Sequence, residues 1–190
     1  MLNKLKNQKN IEIEYRSRFS EVDYKRLFDF LTHHAKNLGQ DDKDVFFFIM
    51  PDKLLKVVNE IAKKKAKIVL KLNKIGKGSD FEELEIPIRQ DSVMPAVRLF
   101  KHLELTNNIM HSFQKRHNFF YRGVEIALKH SDEWDYHAEL ETVISNTKDK
   151  KDAIEKIAKV TKELDIRLMS EKELREFTRK AEIKYRRKRI

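Results

Sequence analysis

Along Ile11-Glu12-Ile13-Glu14-Tyr15-Arg16-Ser17-Arg18-Phe19, Ile, Ile, Tyr, Ser and Phe fall on one face of an extended chain and Glu, Glu, Arg and Arg on the other. That period of two predicts a strand. The period then changes. Ser20 with Asp23 three residues on resembles a helix cap, and Val22, Leu27, Phe28 and Leu31 recur at helical spacing up to Gly39. Val45–Met50 is a short apolar run bounded by charges and Pro51, which predicts an interior strand, and a short helical segment is expected around Asp52–Lys63. Lys67–Lys74 alternates again, and Ile75-Gly76-Lys77-Gly78-Ser79-Asp80 supplies a turn into Phe81–Arg89, so these two strands read as a hairpin. Ser92 is placed to cap a helix through Leu103, with Pro95 in its first turn. Strands follow at about Met110–Tyr121, Gly123–His130 and Tyr136–Ser145. Asn146 or Thr147, and then Ser170 with Glu173, mark two terminal helices, the first ending near Leu164. About seven strands with helices at intervals describe an α+β fold on an antiparallel sheet. With no internal repeat and no composition break, residues 1–190 read as one domain, with a C-terminal helix and basic tail over about 170–190.

Composition narrows the classes. In 190 residues, 40% apolar content with 12 Phe suffices for a core of single-domain size. No apolar run approaches the roughly 18 to 20 residues that span a bilayer, and Met1–Asn10 lacks the apolar stretch of a signal peptide, so the expectation is a soluble, cytoplasmic protein without membrane contact. The absence of Cys excludes disulfides, thiolate metal sites and a cysteine nucleophile. Any metal must then be held by oxygen or imidazole, which favours Mg²⁺ or Mn²⁺. The formal charge of +10 points to an anionic partner without choosing among nucleic acid, nucleotide and polyphosphate. The dense runs Lys63–Lys67 and Lys184–Arg189 read as solvated surface. With four Gly and no Walker or Rossmann pattern, a backbone phosphate cradle is not expected.

The charged strand faces carry the chemistry. An ordinary half-buried sheet turns such a face to solvent, but here Glu-x-Glu occurs on three strands, as Glu12/Glu14, Glu83/Glu85 and Glu139/Glu141, each time with both carboxylates on one face. Basic alternation accompanies it, in Lys67, Lys71 and Asn73 and in Gln114, Arg116 and Asn118. The latter strand also admits the opposite phase, with Lys115 and His117 inward. If the sheet closes with these faces inward, acids and bases oppose one another across a lumen and the apolar faces pack on helices. Converging carboxylates bind a hard divalent cation, and Arg and Lys opposite neutralise phosphates. His33 and His34 read as surface residues, His137 as lumen-facing and either a hydrogen-bonding neighbour or a metal ligand, and Trp134 as a packing residue.

Ile11-Glu12-Ile13-Glu14-Tyr15-Arg16 resembles the opening Glu-x-Glu-x-Lys motif of the CYTH superfamily, which unites class IV adenylate cyclases, thiamine triphosphatases and inorganic triphosphatases. The resemblance continues through Leu70-Lys71-Leu72-Asn73, Glu83-Leu84-Glu85, the basic strand at Gln114–Arg116 and Tyr136-His137-Ala138-Glu139-Leu140-Glu141. It implies a closed antiparallel β-barrel of about eight strands, a triphosphate tunnel, with flanking helices. It implies Mg²⁺ or Mn²⁺ held by Glu12, Glu14, Glu139 and Glu141, and phosphates held by Arg16, Arg18, Lys71 and Arg116. Glu83 and Glu85 would line the same tunnel as the catalytic pair, either as metal outer shell or as water-positioning groups. The implied activity is metal-dependent hydrolysis of inorganic triphosphate or a small organic triphosphate such as a nucleotide or thiamine triphosphate. The alternatives are a class IV adenylate cyclase, converting ATP to cyclic AMP and pyrophosphate, and a polyphosphate- or RNA-end-binding module without turnover. Arg16 stands where the family has Lys, Asn73 where it has a base, and Lys129 where many members have an acid.

Overall fold

A computed structural model describes residues 11–72 and 80–186. The alternating opening forms β1 (Ile11–Arg18), and Ser20 caps α1 (Glu21–His34) by accepting a hydrogen bond from the Asp23 amide. The helix stops at His34 rather than running to Gly39, because Ala35 is extended and β2 (Lys36–Gln40) follows. Gly39, with φ of 91°, sits at a register shift between β2 and its neighbour, a bulge that only a residue tolerant of positive φ accommodates easily. Next come β3 (Lys43–Ile49) and β4 (Leu54–Glu60). The expected helix around Asp52–Lys63 is therefore corrected to a strand. Leu54, Leu55, Val57 and Val58 are all buried, so β4 is covered on both faces and carries no alternation to announce it.

The chain continues through β5 (Lys65–Lys71), β6 (Asp80–Ile88), α2 (Val93–His102), β7 (Ile109–Tyr121), β8 (Val124–Ser131), β9 (Asp135–Ile144), α3 (Lys150–Glu163) and α4 (Glu171–Arg186). Asn73, the turn at 75–79 and the tail beyond 186 lie outside the described residues. Ser170 and Glu173 cap α4 reciprocally: the Glu173 amide donates to Ser170 Oγ at 3.3 Å and the Ser170 amide to Glu173 Oε2 at 2.8 Å.

Among the described residues the strands form one antiparallel nine-stranded sheet in the order β2-β7-β3-β4-β5-β6-β1-β9-β8, and β7 also pairs with β8. The closed barrel of about eight strands expected from the sequence is met only in part: β7 pairs with β8 as well as β3, but the sheet is a curled half-barrel with a weak seam between β1 and β6. Among the described residues β1 and β6 pair through Ile11, Glu12 and Ile13, while β1 runs its full length beside β9 and β6 pairs with β5. β7 is likewise shared: Ile109–Gln114 follows β3, and Lys115–Tyr121 follows β8. The result is two curled halves facing one another. Beyond Ile13, β1 is met instead by the segment between α3 and α4. The Met169 amide donates to the Arg16 carbonyl at 2.8 Å, and Ser17 Oγ to the Arg167 carbonyl at 2.7 Å.

The apolar faces point outward, under helices. Ile13, Phe119, Ile126, Leu128 and Leu140 pack beneath α1 and α3 with Leu27, Leu31 and Ile157, while Phe48, Leu55 and Val57 pack beneath α2 with Val93 and Val97. The charged faces are thereby turned inward. Ile157 is fully buried in the first of these cores, so Ile157→Ala should lower the unfolding free energy by about 2–5 kcal/mol in urea. Leu99→Ala, at an exposed position, should change it by less than about 0.5 kcal/mol.

Candidate functional site

Between the two halves lies a cavity of about 320 Å³. β1 contributes Glu12, Glu14 and Arg16, β9 His137, Glu139 and Glu141, β8 Glu125 and Lys129, and β7 Gln114, Arg116 and Asn118. From the opposite half come Lys43, Lys56, Glu60, Lys67, Lys71, Glu83 and Glu85. The period of two that marked β1 in the sequence is what aims its Glu and Arg side chains inward together. Of the phases open to β7, the structure has Gln114 and Arg116 inward and Lys115 exposed.

Glu12, Glu14, Arg16, Lys71, Glu83, Glu85, Arg116, Glu139 and Glu141 thus share one lining. Arg18 does not join them. It lies at the exposed end of β1 with its guanidinium 3.9 Å from the Phe177 ring centroid, a cation–π contact with α4 in place of the expected phosphate contact. His33 and His34 are exposed.

Inside, acids and bases interlock. Lys71 Nζ lies 2.5 Å from Glu83, 3.4 Å from Glu14 and 3.7 Å from Glu12. Arg16 pairs with Glu14 and, at 3.2 Å, with Glu139. Glu139 also receives Arg116 Nη1 at 3.2 Å and Lys129 Nζ at 3.0 Å. Toward one rim, Lys67 meets Glu85 at 2.5 Å, and Lys43 and Lys63 meet Asp41 at 3.3 and 3.1 Å.

Burial works against the charge of each group, and the neighbours decide the outcome. Burial opposes ionisation of Glu139, yet Lys129, Arg16 and Arg116 hold its carboxyl well below the usual range. Burial likewise opposes the Lys71 ammonium, but Glu14, Glu83 and Glu12 raise its pKa. Glu12 and Glu141 end differently. Burial, then Glu83, pushes Glu12 up to about 7, and burial, then Glu12, Glu14 and Glu125, pushes Glu141 up to about 8. On the basic side, burial brings Lys56 and Lys129 down to about 8, and His137 down to about 3.

Lys56 escaped the sequence reading because its strand was read as helix. It enters the cavity from β4 opposite Phe47 and Val69, and among the described residues it forms no ion pair or hydrogen bond. An ammonium sequestered in that way favours an incoming anion. The signal that would have found it is the β-branched run Val57-Val58 beside Leu54-Leu55, which suits a strand better than a helix. The approach of α4, whose Thr178, Ala181 and Glu182 border the cavity, was also missed, since nothing in a helix's own sequence names its docking site. Trp134 packs as expected, edge to face with Phe177 at 4.9 Å, and Arg16 lies 5.5 Å above it.

The donor set suits a hard divalent cation. All the acidic donors are carboxylates, and Glu14 and Glu141 are direct cross-strand partners with Glu12 one step along β1. The raised affinity of Glu12 and Glu141 for protons is an affinity for positive charge at that point. Among the described residues, no three donors are yet arranged around a common metal position. Glu139 is engaged by three bases instead and serves to anchor them.

The fold is shared with solved structures. A Pyrococcus horikoshii protein superposes with a TM-score of 0.68 at 25% identity, over 83% of this chain and 94% of that one. An adenylyl cyclase candidate from Hippeastrum with a dominant triphosphatase activity matches at a TM-score of 0.55 and 18% identity, over 84% and 89%. The Mimivirus capping enzyme triphosphatase matches at 0.54 and 15%, over 84% and 91%. No family model matches the sequence, and no curated protein does. The fold of this chain is thus one that a triphosphatase and an adenylyl cyclase candidate also adopt.

The titrations set a pH dependence for the metal-free protein. Glu12 and Glu141 keep protons in the folded state up to about 7 and 8 that an unfolded chain releases near 4.5. The folded state therefore binds more protons across that window, and stability falls as pH rises. His137, neutral when folded down to about 3 and ordinarily titrating at 6.5, acts in the opposite sense below 6.5. Lys56 and Lys129, which an unfolded chain holds charged up to 10.5 and the folded one only to about 8, also act in the opposite sense near and above 8. The net fall should thus be clearest between about pH 6.5 and 7.5, measured as a declining Tm in chelator. Glu141→Gln should flatten it. A Tm that rises over this interval would contradict the assignment.

Proposed function

We propose that the protein is a divalent-metal-dependent phosphohydrolase acting on inorganic triphosphate or a small organic triphosphate. The observation that carries this reading is the facing arrangement in one cavity of the Glu12/Glu14/Glu141 carboxylates and the Arg16, Lys56, Lys71, Arg116 and Lys129 cations. A pure anion binder gains nothing from acids beside its ligand, whereas a metal–polyphosphate complex needs both signs. Glu12, Glu14 and Glu141 would hold Mg²⁺ or Mn²⁺, which when bound neutralises phosphate charge and withdraws electron density from phosphorus.

The chain's own groups do the rest. Arg16 and Arg116 are both anchored on Glu139, which fixes their guanidinium planes for bidentate contact with phosphate oxygens. Lys56 and Lys71 supply point charges from the opposite half. Phosphoryl transfer asks mainly for such positioning and charge stabilisation. Water adds to the terminal phosphorus as the bridging P–O bond breaks; the electron pair of that bond leaves on the diphosphate portion, and orthophosphate, carrying the water's oxygen and protons, is released. Glu83, beside Lys71 and more enclosed than Glu85, accepts a hydrogen bond from that water and orients it, with Glu85 toward the rim beside Lys67. Arg16, always charged, binds rather than relays protons.

A cyclase is the second reading, favoured by the likeness to the Hippeastrum adenylyl cyclase candidate. In it the ribose 3′-hydroxyl attacks the α-phosphorus and pyrophosphate leaves. Products from ATP and tripolyphosphate with Mg²⁺ or Mn²⁺ separate the two. Orthophosphate is expected, and cyclic AMP with pyrophosphate would establish the cyclase instead. Arg116→Ala should lower kcat/KM by about 10² to 10³, and Lys56→Ala by at least about tenfold. Unchanged kinetics in both variants would remove the cavity from the chemistry.

A further inference from the structure

The cavity is not charged all round. The β1–β9–β8 wall is built of acids and bases, but β3 turns Val45, Phe47 and Ile49 inward, β4 adds Leu54 and β7 adds Met110. These form one surface. Ile49 and Leu54 are register partners, as are Phe47 and Met110, and Phe47 packs against both Val45 and the Ile49/Leu54/Met110 group. Lys56 stands at the junction, flanked in register by Phe47 on one side and Val69 on the other. The same cavity therefore offers charged groups to phosphate from both halves and, along this strip of β3 with Leu54 and Met110, an apolar surface to an apolar group.

An inorganic polyphosphate has no apolar surface. Against the apolar strip its charges lose hydration without gaining a partner, so that part of the cavity would work against it. A ligand with a phosphate chain and an apolar end uses both parts. A phenyl ring beside a thioether also favours a flat aromatic partner through edge, face and sulfur contacts.

Resting on the triphosphate reading above, we infer that the ligand is an organic triphosphate whose heteroaromatic group lies on the wall of Val45, Phe47, Ile49, Leu54 and Met110, with its phosphates running from Lys56 to Arg16 and Arg116. Inorganic triphosphate is then a poorer ligand of the same site.

Calorimetric dissociation constants with Mg²⁺ test this, using tripolyphosphate, the four ribonucleoside triphosphates and thiamine triphosphate on the wild type, Phe47→Ala and Met110→Ala. At least one heteroaromatic triphosphate should bind the wild type at least about tenfold more tightly than tripolyphosphate. Each variant should lose most of that margin while holding tripolyphosphate within about twofold of wild type, which also reports that it is folded. Should Phe47→Ala not fold, Met110→Ala carries the comparison. If tripolyphosphate matches every organic triphosphate on the wild type, the inference is overturned and the triphosphate reading stands. If the margin exists but survives both substitutions, the assignment to this wall is overturned. If no triphosphate binds at all, the underlying reading fails.

Discussion

The whole molecule is organised around charges that face inward. A carboxylate or ammonium taken out of water must be paired, and here Lys71 with Glu14 and Glu83, and Glu139 with Arg16, Arg116 and Lys129, pair across strands, Lys71 with Glu14 and Arg16 with Glu139 across strands distant in sequence. That requirement inverts the usual sheet. The apolar faces are left outside and need cover, which α1 and α3 give one half and α2 the other. Interlocked ion pairs are weak evidence of stability, since burial cancels much of their attraction. Their position in a cavity, with Glu12 and Glu141 undercompensated and Lys56 unpaired among the described residues, is what makes a ligand the natural completion of the network.

Much of this was legible in the sequence because a strand's period of two sorts its side chains without ambiguity. β1, β7 and β9 display it, and with it the inward set Glu12, Glu14, Arg16, Arg116, Glu139 and Glu141. Where the period fails, the reading fails. β4 is buried on both faces, so Lys56 was hidden in an apolar run, and β2 is a short edge strand of mostly exposed residues with no pattern to show. Arg18 had the right phase but the wrong height: the strand ends there, and Phe177 of α4 takes its guanidinium. Nothing in the strand pattern shows where α4 crosses or how far the sheet closes, because both depend on tertiary contacts between distant segments.

On the proposed function, the two halves would divide the tasks of recognition. Rigid strands hold the Arg, Lys and Glu groups, and the Glu139 anchor limits the freedom of Arg16 and Arg116 before any ligand arrives. The ion pairs at rest are exchangeable partners: phosphate oxygens can replace Glu14 and Glu83 at Lys71, and a divalent cation can replace the lost bases at the carboxylates. Such an exchange keeps both signs satisfied only if anion and cation enter together, which is the central physical claim.

Thermal unfolding tests that claim most directly. Tripolyphosphate and Mg²⁺ should together raise the Tm of the wild type by more than the sum of their separate effects, because each binds a site the other completes. Glu12→Gln with Glu14→Gln should abolish the joint part. Additive shifts, or a variant that keeps the full joint shift, would contradict the account.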